Sequence, residues 1–387
     1  MLGIFKTHLR SLALRKRFVL CAAGLFCAAN IAVAVAATSS SGVTLSVLVS
    51  HFGQSGQTQA NGDLDGDGKV TVFDLSLLLT ELGSGGTGIM CTATPASGSN
   101  LQIVVDNASA GDTICLPANS VFNGGLTLEQ SSGVSNSPIT ITSLDHTRPA
   151  TINGRIVTKP GGNYFTFSWL HLVGVNNGNL PSITIGSDHT SLLNNDITNN
   201  HTTICINDID DPTYGTAHYT TIDRNRIHNC GILPAANGDH GIYEIGYNAL
   251  ITNNYIYANA DRGIQLRGAK SAVVKHNIVD GNGEGVIFGD LGASNNLVDH
   301  NIFSNSNQRF NAESYWGSQA VGTGNVFSNN CSWTTASGFY GSNQGVDPSI
   351  SGVSVSGTLF ANPLYVNAAA HDYTLQAGSP CAAMAPQ

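Results

Sequence analysis

Basic residues are scarce in this chain. Its 387 residues include 16 Lys and Arg against 25 Asp and Glu, a formal net charge of −9. Residues 1–37 hold five of the basic residues and no acidic one, so the remainder has 11 basic and 25 acidic residues, a charge near −14. Binding to nucleic acid requires a basic face, so this balance argues against such a partner. Six of the 11 lie between Arg224 and Lys275, a local concentration that would suit an anionic ligand.

Long hydrophobic runs are also rare, since Phe18–Ala37 is the single stretch that approaches the length of a membrane span. It follows a basic segment with Lys6, Arg10 and Arg15–Arg17, and it ends in small residues at Val35–Ala37. This layout predicts a signal peptide over residues 1–37, although a retained membrane anchor is the alternative. We expect a secreted protein, released or held at the cell surface, with no membrane span after cleavage.

The spacing Cys-x-x-Cys does not occur, which argues against a tetrahedral metal site. Six cysteines remain beyond residue 37, and an even number in an exported chain indicates disulfides. Six cysteines allow 15 pairings. We predict the pairs that are near in sequence, namely 91–115, 205–230 and 331–381.

What the chain does contain is a repeat of 22 residues. Gly241-Ile242 recurs as Gly263-Ile264 and as Gly285-Val286, and Ile256 recurs as Ile278. A period of this length predicts one turn of a parallel β-solenoid, in which equivalent residues of adjacent coils lie ~4.8 Å apart. Residues 22 apart in sequence should therefore be neighbours in space.

A column of polar residues precedes the outer anchors of this repeat. Two positions before Ile197, Ile227, Ile256, Ile278 and Ile302 stand Asn195, Asn225, Asn254, His276 and His300. Amides stacked at coil spacing can hydrogen-bond to one another, so a structural role is favoured over a ligand role for the two histidines.

Residues 63–74 have the spacing of a calcium-binding loop. Oxygen ligands fall at positions 1, 3, 5, 7, 9 and 12, with Gly68 at position 6. The predicted calcium ligands are Asp63, Asp65, Asp67, the carbonyl of Lys69, Thr71 and Asp74.

Two similar apolar segments flank that loop. Leu45–Gly53 matches Leu75–Gly83 in character at nearly every position, which indicates two short helices related by duplication. The calcium loop, its Asp74 and this duplication resemble a dockerin, which implies a cohesin-like protein partner. Residues 38–44 lack the acidic residues of a first calcium loop, and a single-calcium spacer is the alternative. We assign residues 38–83 to this all-α module and residues 84–90 to a flexible linker.

The remainder, residues 91–387, resembles the right-handed parallel β-helix superfamily that includes pectate lyases. The resemblance is carried by the opening segments 110–116, 138–142 and 150–154, by the Asn-x-Ile coils and by the closing segments 361–366 and 372–380. It implies a mainly β fold of roughly 10–12 coils of 20–30 residues each. It does not specify a reaction, because the fold carries lyases, hydrolases, epimerases and adhesins.

The coil register places a cluster of reactive side chains on adjacent coils. Asp239-His240 should lie over Asp261-Arg262, with Tyr243 and Arg267 beside them and Asn207–Asp211 on a nearby excursion. The predicted catalytic residues are Asp239, His240, Tyr243, Arg262 and Arg267, a set that suits β-elimination from a uronic acid. Arg262 or Arg267 would neutralise the sugar carboxylate, His240 would remove the C5 proton, and Tyr243 would protonate the leaving oxygen. The alternative for Asp239, Arg262 and Glu284 is a surface ion-pair ladder.

Two other functions fit the same pattern. Asp210-Asp211 followed by Gly238–Gly241 is faintly similar to the polygalacturonase arrangement, which implies glycoside hydrolysis by paired carboxylates. A glycan-binding surface protein without catalysis is the third alternative. We expect a monomer whose ligand is an acidic polysaccharide.

Overall fold

This computed structural model describes residues 45–63, 69–71, 90–174, 180–235, 238–315, 317, 319–335 and 345–387. The chain divides into two compact units, residues 1–88 and 89–387. The predicted signal peptide (residues 1–37), most of the linker and the second duplicated helix (Leu75–Gly83) lie outside the described residues. No described helix combines the length and the hydrophobicity that crossing a bilayer requires.

The first unit contains helix α1 (Leu45–His51), where the first of the duplicated segments was predicted to be helical, and a 3₁₀ turn at Gln59–Asn61. Leu48 and Val70 are fully buried in this unit. Ser55 and Lys69 form an antiparallel bridge. The dockerin-like assignment remains a prediction, because three of the six predicted calcium ligands, Asp65, Asp67 and Asp74, lie outside the described residues.

The second unit is a parallel β-solenoid with three sheets. Consecutive strands in each sheet come from consecutive coils. The first sheet consists of β1 (Thr113–Leu116), β4 (Ile139–Ser143), β7 (Phe165–Ser168), β10 (Ser191–Leu193), β15 (Thr221–Asp223), β18 (Leu250–Thr252), β21 (Val273–Lys275), β24 (Leu297–Asp299), β27 (Asn325–Ser328) and β29 (Val353–Ser356).

The other two sheets follow the same order. The second sheet consists of β2 (Val121–Asn123), β5 (Thr151–Asn153), β8 (His171–Val173), β11 (Asp196–Thr198), β16 (Arg226–His228), β19 (Tyr255–Tyr257), β22 (Ile278–Asp280), β25 (Ile302–Ser304), β28 (Cys331–Trp333) and β30 (Leu359–Phe360). The third sheet consists of β3 (Leu126–Leu128), β6 (Ile156–Thr158), β9 (Ile183–Ile185), β12 (Ile206–Asp208), β17 (Ile242–Glu244), β20 (Arg262–Leu266), β23 (Glu284–Phe288) and β26 (Ala312–Ser314).

Ten strand levels correspond to about nine turns, fewer than the 10–12 coils that the sequence predicted. Most of the short strands direct an apolar side chain into one continuous core, because alternate residues of a strand point to opposite faces. Helix α2 (Leu101–Asp106) adds Leu101 and Val105 to this core next to β3. The side chain of Asn100 caps the helix by accepting a hydrogen bond from the Gln102 N–H.

Two antiparallel hairpins lie outside the three sheets. One pairs β13 (Asp210–Asp211) with β14 (Gly215–Thr216), and the other pairs β31 (Tyr365–Asn367) with β32 (Asp372–Leu375). Two further 3₁₀ turns, Ala368–Ala370 and Ala382–Met384, belong to the C-terminal segment.

All three predicted disulfides are confirmed: Cys91–Cys115, Cys205–Cys230 and Cys331–Cys381. The third joins the solenoid to the C-terminal segment. Cys331 and Cys381 belong to a small second core with Ile278, Ile302 and Tyr373, which lies between the second sheet and that segment.

A ladder of asparagines fixes the corner between the first and second sheets. Each Nδ2 donates to the Oδ1 of the next member at 2.9–3.1 Å. Each also donates to a backbone carbonyl of the first sheet. The members are Asn195, Asn225, Asn254, Asn277, Asn301 and Asn330. Buried amides are thus satisfied by their own copies, as the sequence predicted.

The prediction that His276 and His300 belong to this ladder is wrong by one residue. Ile256 pairs with Val279, and Ile278 pairs with Tyr255. The histidines occupy the preceding corner position, with left-handed φ values of 54° and 53°. The error arose because Ile278 and Ile302 resemble core anchors, yet they are buried beneath the C-terminal segment instead of inside the coils.

We predict that Asn254→Ala will lower the free energy of unfolding by about 2–4 kcal/mol, because it removes several buried hydrogen bonds at once. The Asn225 backbone N–H and the Ile222 carbonyl lose the bonds that the Asn254 side chain makes to them, and the ladder bonds to Asn225 and Asn277 are also lost. Denaturant titration measures this change. Asn153→Ala is the matched control, since its amide also bonds an asparagine one coil away, Asn123, but at the exposed surface. We expect a change within about 0.5 kcal/mol for the control, and equal effects in the two variants would contradict the role of the ladder.

Candidate functional site

The third sheet holds the predicted cluster, and its register is as the sequence predicted. Ile242 pairs with Ile264, which pairs with Val286, and these residues face the core. Tyr243 and Gln265 are consequently neighbours on the outer face. The repeated glycines are required by close packing: a Cβ on Gly263 would lie 2.6 Å from a Val279 methyl, and one on Gly285 would lie 2.1 Å from the Asn311 carbonyl oxygen.

Arg262 is a buried cation whose charge is already balanced. Its side chain is 7% exposed. Its Nε lies 3.2 Å from Glu284 Oε2, and its Nη1 donates to Gln265 Oε1 at 2.9 Å and lies 3.7 Å from Asp261 Oδ2. These contacts match the ion-pair alternative for Arg262 and Glu284, although the pair is buried and not at the surface.

Arg267 differs from Arg262 because 38% of its side chain is exposed. Its Nη1 donates to the Tyr243 hydroxyl at 2.7 Å, and its Nε donates to Asp290 Oδ1 at 2.6 Å. Both hydrogen bonds raise the pKa of Arg267 above its usual range. Since the Tyr243 oxygen accepts from Arg267, its own hydrogen is available to another acceptor.

His240 lies next to Tyr243, with ring centroids 5.1 Å apart. Its side chain is 2% exposed, and its Nδ1 is 3.6 Å from Asp261 Oδ2 without a hydrogen bond. Burial, followed by the charges of Arg262 and Arg267, lowers the pKa of His240 well below its ordinary value. The imidazole is therefore neutral at neutral pH.

Asp239, the fifth predicted catalytic residue, points elsewhere. Its Oδ1 accepts a hydrogen bond from the Ile232 N–H at 2.9 Å. It thereby holds the chain that follows Cys230, and it does not line the cleft formed by its neighbours.

That cleft has a volume of about 300 Å³. It contains four of the five residues predicted to be catalytic, His240, Tyr243, Arg262 and Arg267. The other lining residues are Gly238, Gln265, Asp290, Tyr315 and Gly317. Asp290 was missed by the sequence analysis, although it follows Arg267 by 23 residues, about one coil. Tyr315 follows the last strand of the third sheet, and no repeat marks it.

A second charged cluster continues from Arg262 along the outer face. Arg309 donates to both Glu313 oxygens at 2.7–3.2 Å and lies 3.6 Å from Glu284 Oε1. Burial is the main cause that raises the pKa of Glu284 to about 7. This cluster contacts Arg262 through Glu284 and is not part of the cleft lining.

The predicted excursion Asn207–Asp211 is only partly an excursion. Asn207 and Asp208 belong to β12, and Asp208 faces the core. Asp210 and Asp211 form the protruding hairpin with β14. The expectation of three carboxylates beside the cleft is therefore wrong, because the alternation of β12 turns Asp208 inward.

Comparison with known proteins gives one family. A family model described as "Right handed beta helix region" matches residues 182–359, which include the coils that carry the cleft. No curated protein matches the chain.

Three solved structures illustrate the likeness. The pectate lyase Pel9A is 12% identical with a TM-score of 0.48, and the match covers 76% of this chain and 92% of that one. The alginate lyase from Paenibacillus sp. str. FPU-7 is 16% identical with a TM-score of 0.39, covering 70% and 100%. The A-module of the mannuronan C-5 epimerase AlgE4 from Azotobacter vinelandii is 13% identical with a TM-score of 0.41, covering 69% and 95%. The strand pairing and the matched family model together identify the large unit as a right-handed parallel β-helix.

Proposed function

We propose that the chain binds an acidic polysaccharide in the cleft and cleaves it by β-elimination. The observation that supports this proposal most directly is the convergence of three groups in one cleft: the partly exposed guanidinium of Arg267, the hydroxyl of Tyr243 and the neutral imidazole of His240.

Each of these groups has a role in the proposed reaction. Arg267 pairs with the carboxylate of a uronic acid, which makes the C5 proton more acidic. His240 accepts that proton, and the electron pair forms the C4–C5 double bond as the C4–O bond breaks. Tyr243 gives its proton to the leaving oxygen, so the reaction ends with a protonated imidazole and a phenolate, and proton exchange with water restores both. Arg262 has no role in the proposed reaction, because its buried partners already balance its charge.

Hydrolysis by paired carboxylates has less support. It requires two carboxyl groups facing the sugar. Asp290 is the sole carboxylate among the described residues that line the cleft, and it is bound to Arg267. Polysaccharide binding without cleavage is the remaining alternative, and the experiment below distinguishes it.

We also propose that residues 63–74 bind one calcium ion and that the chain is exported. Asp63 is 4% exposed, and it lies at one end of the loop. Val70, at position 8 of the loop, is held by backbone hydrogen bonds, from Gly53 N–H to the Val70 carbonyl at 2.7 Å and from Val70 N–H to the Gln54 carbonyl at 3.1 Å. An all-oxygen ligand set fits a hard cation.

Incubation of the purified chain with alginate, pectate and glycosaminoglycans tests the proposed reaction. We expect unsaturated products that absorb in the ultraviolet, and Tyr243→Phe should reduce kcat by about 10²–10⁴-fold because it removes the proton donor. Tyr219→Phe is the control, since this tyrosine is 52% exposed and outside the cleft lining. New reducing ends without ultraviolet absorbance would indicate hydrolysis, and retention of glycan on a column without products would indicate binding alone.

The pH profile tests the base. A lowered pKa keeps His240 neutral at pH values where an ordinary histidine, of pKa near 6.5, is half protonated. We therefore expect kcat/KM to stay constant as the pH falls through 6.5 and to decline only at lower pH. His240→Ala should remove most of the activity at every pH, and a decline centred at or above pH 6.5 in the parent protein would argue against His240 as the base.

Calorimetric titration of the full chain tests the metal site. We expect one calcium ion per chain to be lost in Asp63→Asn, because the first ligand of the loop loses its charge. Asp112→Asn, in the other unit, should bind calcium like the parent. Identical calcium binding by the parent and by Asp63→Asn would exclude this loop as the site.

A further inference from the structure

Two carboxyl groups face each other inside the solenoid, directly beneath the cleft. Asp208 of β12 and Glu244 of β17 are register partners on adjacent coils. Both point into the core, where Asp208 is 1% and Glu244 is 0% exposed. The middle residue of each strand, Asn207 in β12 and Tyr243 in β17, points outward.

No cationic side chain among the described residues forms an ion pair with either carboxyl group. None of the four carboxyl oxygens accepts a hydrogen bond of good geometry from a described donor group, and the buried Thr220 hydroxyl approaches Asp208 without completing one. The Gly246 N–H approaches Glu244 without completing a hydrogen bond.

The surroundings of the pair are apolar. Ile185 and Leu266 flank the pair in the third sheet. The same coils contribute four isoleucines to the core from the other two sheets, Ile222, Ile251, Ile227 and Ile256. The charge of His218, a residue of another segment, reaches the pair and favours the ionised form of Asp208.

We propose that Asp208 and Glu244 form an internal proton-binding site that holds at least one proton at neutral pH and loosens the coils beneath the cleft when that proton is lost. Two carboxylates at coil spacing in an apolar interior would repel each other and would both lose their hydration. One carboxylic acid that donates its proton to the neighbouring carboxylate removes the repulsion and satisfies an oxygen of each group. Burial raises the pKa of Asp208 to about 6, and burial together with the charge of Asp208 raises that of Glu244 well above its usual range.

The direction of the pH effect follows from these raised pKa values. At low pH both groups are protonated in the folded and the unfolded chain, so the pair costs nothing. As the pH rises above about 4, the two carboxyl groups lose their protons in the unfolded chain, whereas the folded chain keeps both up to about pH 6 and the Glu244 proton beyond it. The folding equilibrium constant therefore falls by up to about tenfold per pH unit for each proton that the folded chain retains. Tyr243 lies between Ile242 and Glu244, so opening β17 to hydrate Glu244 also displaces Tyr243. This inference holds whether or not the cleft is catalytic.

Denaturant titration and amide hydrogen exchange between about pH 4 and pH 9 test the site. We expect the parent protein to lose stability with rising pH and to exchange faster at β12 and β17. The double variant Asp208→Asn, Glu244→Gln keeps the shapes of both side chains and removes their titration. Its folding equilibrium constant should therefore fall less steeply with pH than that of the parent, by about tenfold per pH unit. Glu129→Gln is the control, since this surface carboxylate pairs with Lys159, and it should retain the parental slope.

Infrared spectroscopy of the parent protein decides the question even if the double variant does not fold. We expect the carbonyl band of a protonated carboxylic acid at pH 7, and we expect it to persist in Glu284→Gln, which removes the other carboxyl group with a pKa of about 7. An unchanged pH slope in the double variant would overturn the proposal. So would the absence of that band at pH 7, because the pair would then hold no proton at neutral pH.

Discussion

The hydrogen bond between identical asparagines on successive coils is the interaction on which the rest of this solenoid depends. Each coil turns a tight corner between the first and second sheets, and such a corner leaves backbone carbonyls facing inward. The asparagine amide donates to one of these carbonyls and to the next asparagine, while its oxygen accepts from that of the preceding coil. The corner therefore cannot shift by one residue in one coil without breaking bonds in two others.

Because this constraint fixes the register, equivalent positions of successive coils form straight rows of side chains. The location of a row on the sheet decides how exposed its side chains are and therefore what they can contact. Arg262 and Arg267 have the same side chain and lie five residues apart on one strand and its extension. Arg262 stands among Asp261, Glu284 and Gln265 and is almost fully enclosed. Arg267 reaches the open edge of the sheet, where only Asp290 balances its charge. The first stabilises the wall of the cleft, and the second is available to a ligand.

The sequence predicted the part of the structure that repeats. The glycines at 241, 263 and 285 admit no side chain because backbone and side chains of adjacent coils pack against them, so their 22-residue spacing was a direct record of the register. The stacking of His240, Tyr243 and Gln265 with Arg262 followed from it. The predicted polar column was wrong at His276 and His300 because Ile278 lies on the outer face of its strand, where the C-terminal segment covers it. An apolar residue in the sequence does not reveal which face of a strand is covered. Tyr315 lies on a connection with no repeat, so its sequence carried no positional information.

Asp208 shows a further limit of the same reasoning. Carboxylates are expected at the surface, and a run of three acidic residues near a predicted loop suggested a polar excursion. The alternation of a three-residue strand overrode this expectation, since Ile206 must face the core and Asp208 has the same parity. Glu244 likewise points to the same face as Ile242, two residues earlier, and Tyr243 between them faces outward. Backbone geometry thus places a titratable group on each face of one short strand, and a strand of three residues has too few bonds to move one face without moving the other.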